Sequence, residues 1–220
     1  SYGVPGYLPA KAFFACLAQR EFPTTVLIRP REVMDYLQEP DIFHDVFGHV
    51  PLHTLKVFAD FLQTYGKAAL LCDDEYHVKR LGRLFWFTVE FGLIREDGRL
   101  KIYGSGLISS HGESEFCLAS PDVDRRPFDL DRVCETPFEI DHYQPILYVL
   151  ESFAQLRDAM TEYAERVLGG DEHVVPQPRL EVALHLRQVE IRAGAARQRF
   201  LGVVEEVQAE IEQRARHRLA

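Results

Sequence analysis

Residues 40–51 read Pro-Asp-Ile-Phe-His-Asp-Val-Phe-Gly-His-Val-Pro, and no other stretch limits the fold as tightly. Two histidines and two aspartates sit here among Ile, Phe and Val. A buried imidazole costs free energy unless its ring nitrogens find partners, so two in one apolar segment ask for a shared one. His44 and His49 are one residue further apart than the i,i+4 pair that sets two ligands on one helical face. A continuous α-helix would point the rings about 140° apart, at roughly 100° per residue. Gly48 relieves this if it ends the helix, since glycine adopts left-handed dihedrals freely. Pro51 then keeps the helix from resuming. The competing reading is two core histidines bonded to carbonyls, which suits either ring alone better than it suits the pair. Asp41 and Asp45 are candidate acceptors for imidazole N–H groups. Two imidazoles do not name a metal, because Zn, Cu, Fe and Ni all accept them.

A third donor comes from residues 81–93, Leu-Gly-Arg-Leu-Phe-Trp-Phe-Thr-Val-Glu-Phe-Gly-Leu. Glu90 lies in a run of apolar and aromatic side chains that includes the only tryptophan, Trp86. A lone carboxylate in such company is protonated or paired. A cation is the simplest partner; an ion pair with Arg83 is the alternative. Two histidines and one carboxylate make a facial triad, which leaves half of an octahedral shell open, as in non-haem Fe(II) oxygenases. Zinc hydrolases also use two His and a Glu, but usually from His-Glu-x-x-His, which is absent here.

The rest of the chain bounds the class. A length of 220 residues suits one main domain with a sizeable core. A net charge of -9 argues against nucleic acid or an anionic membrane as partner. The four cysteines are scattered, with no Cys-x-x-Cys, which fits a reducing cytosol and predicts a cytoplasmic protein. No apolar run reaches membrane-spanning length, and the N-terminus has no signal-peptide pattern. Periodicity predicts a helix over 10–20, a short strand at 26–28 and one or two helical turns over 32–38. A helix over 54–71 carries a core stripe of Val57, Phe58, Phe61, Leu62 and Tyr65. Glu96-Asp97-Gly98 reads as a hairpin turn. In the glycine-bearing stretch 103–113, Ser109, Ser110 and Glu113 are candidates to bond a ligand or substrate, or are turn residues with exposed hydroxyls. A loop over 121–132 and a helix over 152–167 follow. Residues 179–192 suggest a strand or hairpin, and 195–217 an amphipathic helix. Arg29, at the end of the predicted strand, is either solvated or a bidentate clamp for a carboxylate.

Three motifs together resemble the pterin-dependent aromatic amino acid hydroxylases, and most closely their bacterial phenylalanine-hydroxylating members. They are Pro40-Asp-x-x-His44-Asp-x-x-Gly48-His49-Val-Pro51-Leu, Trp86-Phe-Thr-Val-Glu90-Phe-Gly-Leu and Tyr103-Gly-x-Gly-x-x-Ser109-Ser110. The likeness runs from about residue 6 to 153. It implies a mainly α fold with short β-sheets (α+β), a helical basket around a mononuclear iron. It implies His44, His49 and Glu90 as Fe(II) ligands, and Arg29 as the clamp for the substrate carboxylate. Pro40, Trp86 and Phe91 would line the aromatic pocket, and Ser109 would tie substrate or His44. Gly6, Leu8, Phe13 and Asp45 match pterin-binding positions. The expected activity is O2- and tetrahydropterin-dependent hydroxylation of the ring of L-phenylalanine to tyrosine. The alternatives are 3-hydroxylation of phenylalanine, hydroxylation of tryptophan, an inactive member acting as a binding protein, and a zinc hydrolase. Leu37 stands where animal members have a threonine and resembles the bacterial ones, Phe85 replaces a common tyrosine and His111 adds an imidazole; these bear on substrate and regiochemistry. The family's longer helical segment before residue 6 is expected to be absent. Residues 1–175 are expected to form the catalytic domain and 176–220 a tail that drives homo-oligomerisation through its helix.

Overall fold

The computed structural model describes residues 2–4, 8–28, 40–140 and 142–169. Strand β1 (Tyr2–Val4) pairs in parallel with β2 (Pro23–Thr25), and helix α1 (Ala10–Ala18) lies between them in the chain. The strand expected at 26–28 is therefore three residues early. Pro23, Thr24 and Thr25 are buried in the ladder, while Ile28 is 81% exposed. Apolarity pointed to the wrong residues because hydrogen bonds end the strand at Thr25. Its N–H donates to the Asp45 carboxylate, and the Leu27 carbonyl accepts from Ile42 N at 2.7 Å. The chain is thus tied to the histidine segment instead of continuing the ladder.

His44–His49 winds as a π-helix and runs through a 3-10 turn (Val50–Thr54) into α2 (Lys56–Leu71). Four of the five residues of the expected stripe are core: Phe58, Phe61, Leu62 and Tyr65 are buried against α1 and helix α7 (Phe153–Gly169), with Leu156 and Met160 facing them, while Val57 is half-buried. Helix α3 (Glu75–Phe85) starts on Asp74, whose carboxylate accepts the N–H of His77 at 2.8 Å. It continues into a second π-helix, Trp86–Glu90.

Next come β3 (Leu93–Glu96) and β4 (Arg99–Ile102), an antiparallel hairpin. Asp97 and Gly98 turn it with φ of 51° and 73°, the positive dihedrals that a tight hairpin needs. Short helices α4 (Ser105–Ile108) and α5 (His111–Ala119) follow. The stretch expected as loop, 121–132, holds β5 (Asp124–Pro127) and the start of α6 (Leu130–Glu135). With β6 (Ile146–Leu150), the sheet order is β4-β3-β6-β5. β5 is an edge strand, which explains how Asp-Arg-Arg-Pro can be a strand: one side stays unpaired and tolerates proline. β6 is central, pairs in parallel with β3 and β5, and is buried from Leu147 to Leu150. The architecture is the expected mainly helical α+β fold. The turns at 32–38, the elements at 179–192 and 195–217, and the boundary at 175/176 lie outside the described residues.

Candidate metal centre

The two π-helices carry the three donors. In the second, Phe91 N donates to the Trp86 carbonyl at 2.8 Å, a bond five residues back. In the first, the same winding sets His44 and His49 one turn apart, so both imidazoles face one point. Gly48 does not end a helix, as the spacing suggested, because the wider turn already absorbs the fifth residue. It allows a close approach instead: a Cβ there would lie 2.6 Å from Ser105 Cβ. Pro51 lies at the start of the 3-10 turn, where its missing N–H costs nothing.

His44 Nε2 and His49 Nε2 are 3.1 Å apart. Glu90 Oε1 is 3.2 Å from His49 Nε2, and Oε2 is 3.5 Å from His44 Nε2. Donors about 2.1 Å from one centre lie about 3.0 Å apart at right angles and about 3.4 Å apart at the tetrahedral angle, so an ion held by the two imidazoles lies within reach of the carboxylate. Among the described residues, this is the group of His, Cys, Asp and Glu side chains able to hold a metal. The Arg83 alternative falls, since its guanidinium donates to the Cys134 carbonyl at 3.2 Å.

Neighbouring groups set the donors' protonation. Ser109 Oγ lies 2.8 Å from His44 Nδ1 and donates its own hydrogen to the Gly106 carbonyl at 3.2 Å. It therefore accepts from His44 Nδ1–H, which leaves Nε2 with a free lone pair. Burial holds the His44 imidazolium down in pKa, more strongly than Glu90 draws it up. Burial alone would raise Glu90; His49 first, then His44 and Ser105, outweigh it and hold the carboxyl at about 2. A neutral imidazole beside an ionised carboxylate is what a cation requires. Asp41 Oδ1 accepts the backbone N–H of His44 at 2.8 Å, and Asp45 holds the end of β2. Both carboxylates thus anchor the backbone of the site.

A cavity of about 310 Å³ opens over the donors. Leu8, Phe13, Phe22, Pro40, Asp45 and Phe85 line it together with His44, His49 and Glu90. Trp86, Phe91 and Ser109 do not. Trp86 stacks on Phe138 at 4.3 Å and leans on Phe91 at 4.5 Å, and its Nε1–H donates to Gln144 Oε1 at 3.2 Å. Arg29 and Gly6 lie outside the described residues. Of the other candidates, Ser110 caps α5 by accepting from Glu113 N, Glu113 accepts from Gln144 N at 3.0 Å, and His111 is exposed. Sequence reasoning passed over Ser105, Phe22 and Gln144. Phe22 packs on the His49 ring at 4.6 Å. The two glycines around Ser105 were the available signal.

Two imidazoles and a carboxylate on adjoining π-turns, opening to an aromatic cavity, define a mononuclear metal protein with room for a flat ring. Residues 2–174 match the model of the biopterin-dependent aromatic amino acid hydroxylases, and the chain belongs to that family. The phenylalanine-4-hydroxylase of Chromobacterium violaceum is 48% identical over 156 residues, covering 71% of this chain and 52% of that protein. Its crystal structure with bound iron(III) and oxidised 7,8-dihydrobiopterin superposes with a TM-score of 0.71 at 46% identity, over 76% of this chain and 61% of that one. Mouse tyrosine 3-monooxygenase is 42% identical over 165 residues, covering 74% of this chain and 32% of that protein. The chain spans about half the length of the bacterial relatives it matches.

Proposed function

We propose that this chain carries the catalytic centre of an Fe(II)- and tetrahydropterin-dependent monooxygenase that converts L-phenylalanine to tyrosine. One observation carries the reading: the side chains of His44, His49 and Glu90 converge on one point at the floor of an aromatic cavity, in a chain of this family. The likeness to phenylalanine hydroxylases at 46–48% identity favours phenylalanine over tyrosine as substrate. Iron and the reduced pterin, when bound, supply the electrons and the site at which O2 is activated. The chain's own residues do the rest. His44, His49 and Glu90 hold the ion, and Ser109 keeps His44 in the tautomer that can bind it. Phe13, Phe22 and Phe85 keep water from the cavity and offer faces for a ring to pack on. In this reading Asp45, Leu8, Phe13 and Gly6 take the pterin, and Pro40 shapes the amino acid's pocket, with the packed Trp86–Phe91 pair behind the cavity lining bounding it on one side. Arg29 would clamp the substrate carboxylate with two N–H donors.

The test is direct: incubate the protein with L-phenylalanine, ferrous iron, a tetrahydropterin and O2, and identify the product by chromatography. Tyrosine is expected. 3-Hydroxyphenylalanine would move the ring position, and turnover without pterin would reject the class. The proposed compartment is the cytoplasm, supported by Cys16, Cys72, Cys117 and Cys134, all buried and none in a disulfide. No described helix is long and apolar enough to cross a membrane. We assign self-association to the amphipathic pattern at 195–217. Size-exclusion chromatography of the chain with and without 176–220 tests it, and identical monomers would end it.

A further inference from the structure

The geometry assigns Ser105 as the positioning residue that decides how Glu90 meets the metal: its hydroxyl holds Oε2 and presents Oε1 to the ion. The inference rests on the metal reading above and concerns a residue that the sequence motifs did not single out.

Ser105 is completely buried at the start of α4, where three segments meet. Its Oγ lies 2.9 Å from Glu90 Oε2, 3.0 Å from His49 Nε2 and 3.1 Å from the Val89 carbonyl. A hydroxyl has one hydrogen to give. When His49 Nε2 commits its lone pair to a cation, it no longer accepts. Two acceptors remain, and the carboxylate is both the nearer and the charged one, so it takes the hydrogen. Glu90 Oε1 has no such tie and is the oxygen nearer His49, at 3.2 Å.

The chain around Ser105 is built for this contact. A Cβ on Gly104 would fall 2.4 Å from the Glu90 carbonyl oxygen, and one on Gly106 would fall 2.8 Å from the Phe91 ring. The two glycines let α4 ride against the backbone of Glu90. Gly48 lets the first π-helix close on Ser105 from the other side. One small hydroxyl is thereby clamped between a carboxylate ligand and an imidazole ligand. Both carboxylate oxygens already lie near the imidazoles, Oε2 at 3.5 Å from His44 Nε2, and the Ser105 hydroxyl is what occupies Oε2; its removal would release that oxygen. The ion would then be free to take the carboxylate through two oxygens.

The experiment uses the full chain and metal alone, without substrate. Fe(II) affinity is measured by chelator competition, and the Co(II)-loaded protein is examined by visible absorption, whose d–d bands weaken as coordination number rises. Ser105→Ala is expected to weaken Fe(II) binding by about 10- to 100-fold, the usual range for a lost partner of a ligand. It is also expected to lower the Co(II) band intensity as the second oxygen joins. Ser105→Cys, nearly isosteric and a weak donor, should fall between and covers a poorly folded alanine variant. A change in packing alone would shift the thermal midpoint of the metal-free protein and leave the bands as they were. Co(II) bands identical in wild type and both variants overturn the assignment, whatever the affinities. A wild-type chain that binds neither metal would instead overturn the metal reading itself, so the two failures are distinguishable.

Discussion

Gly48→Ala puts a close contact beside the metal centre under load. The added methyl carbon would meet Ser105 Cβ at 2.6 Å, its Cα at 3.0 Å and its carbonyl oxygen at 3.4 Å. Unbonded carbons settle at about 3.5–4.0 Å, so the two segments must part by roughly 1 Å. The obstacle includes the backbone of α4 and is no flexible side-chain tip that could swing aside. Forcing a methyl into a packed interior costs about 1–3 kcal/mol. At about 2–4 °C per kcal/mol for a protein of this size, the melting temperature should drop on the order of 2–12 °C. The same separation pulls Ser105 Oγ away from Glu90 and His49, which it now touches at 2.9 and 3.0 Å. A hydrogen bond stretched by about 1 Å is lost. Fe(II) affinity should therefore fall as well, by about 10- to 100-fold. Circular dichroism melting of the metal-free protein reads the first effect, and chelator competition the second. A variant that melts within about 1 °C of wild type and binds iron equally well would show that α4 and the first π-helix are not in contact as described.

Other substitutions separate packing, charge and substrate orientation. Tyr103 is 4% exposed and its hydroxyl has no hydrogen-bond partner among the described residues, so Tyr103→Phe should raise the melting temperature by a few degrees; a drop would mean the hydroxyl is satisfied. Burial pushes the Glu113 carboxyl up, against the opposing pull of Gln144 N–H and His142. A folded-state pKa above the unfolded one gives stability that is present below the unfolded value and lost as pH rises through the folded one. Glu113→Gln should therefore match wild type in melting near pH 4 and exceed it increasingly toward pH 7, and a gain that is flat with pH would contradict this. Gln144→Leu removes the acceptor of Trp86 Nε1–H and two donations to the carbonyls of Glu139 and His142. In the proposed reaction it should raise the KM for phenylalanine and leave iron affinity within about twofold; equal losses in both would place Gln144 in general stability instead.

The donors themselves were readable before any coordinates because imidazole and carboxylate are out of place among Phe, Val and Ile, and that misfit has few resolutions. How the donors meet was not readable. Helical periodicity assumes 3.6 residues per turn, and His44 and His49 violate it, so a helix end at Gly48 was the simplest repair. A wider turn is rare enough that spacing alone does not suggest it. Ser105 escaped notice for a related reason: a serine between glycines looks like a turn, and only the path of α4 brings it to Glu90. The strand β2 was displaced from the apolar Val26-Leu27-Ile28 because pairing with β1 and a carboxylate from residue 45 end it at Thr25. An edge strand such as β5 carries almost no hydrophobic signature, and its identity comes from its neighbour β6. The stripe on α2 and the Asp97-Gly98 turn were legible because each depends on local periodicity or local dihedrals alone.

Each π-turn amounts to an ordinary helical coil with one supernumerary residue wound into it. That makes the number of residues between His44 and His49 as restrictive as their identity. Deleting any one of the four would return the segment to a regular pitch and leave His-x-x-x-His, the spacing of many zinc peptidases. The rings would still be neighbours, but the strand tether at Asp45 and the seat for α4 would lose their phase with them. Random deletion scanning of this protein should therefore find segments 44–49 and 86–90 less forgiving of a lost residue than of many exchanged ones.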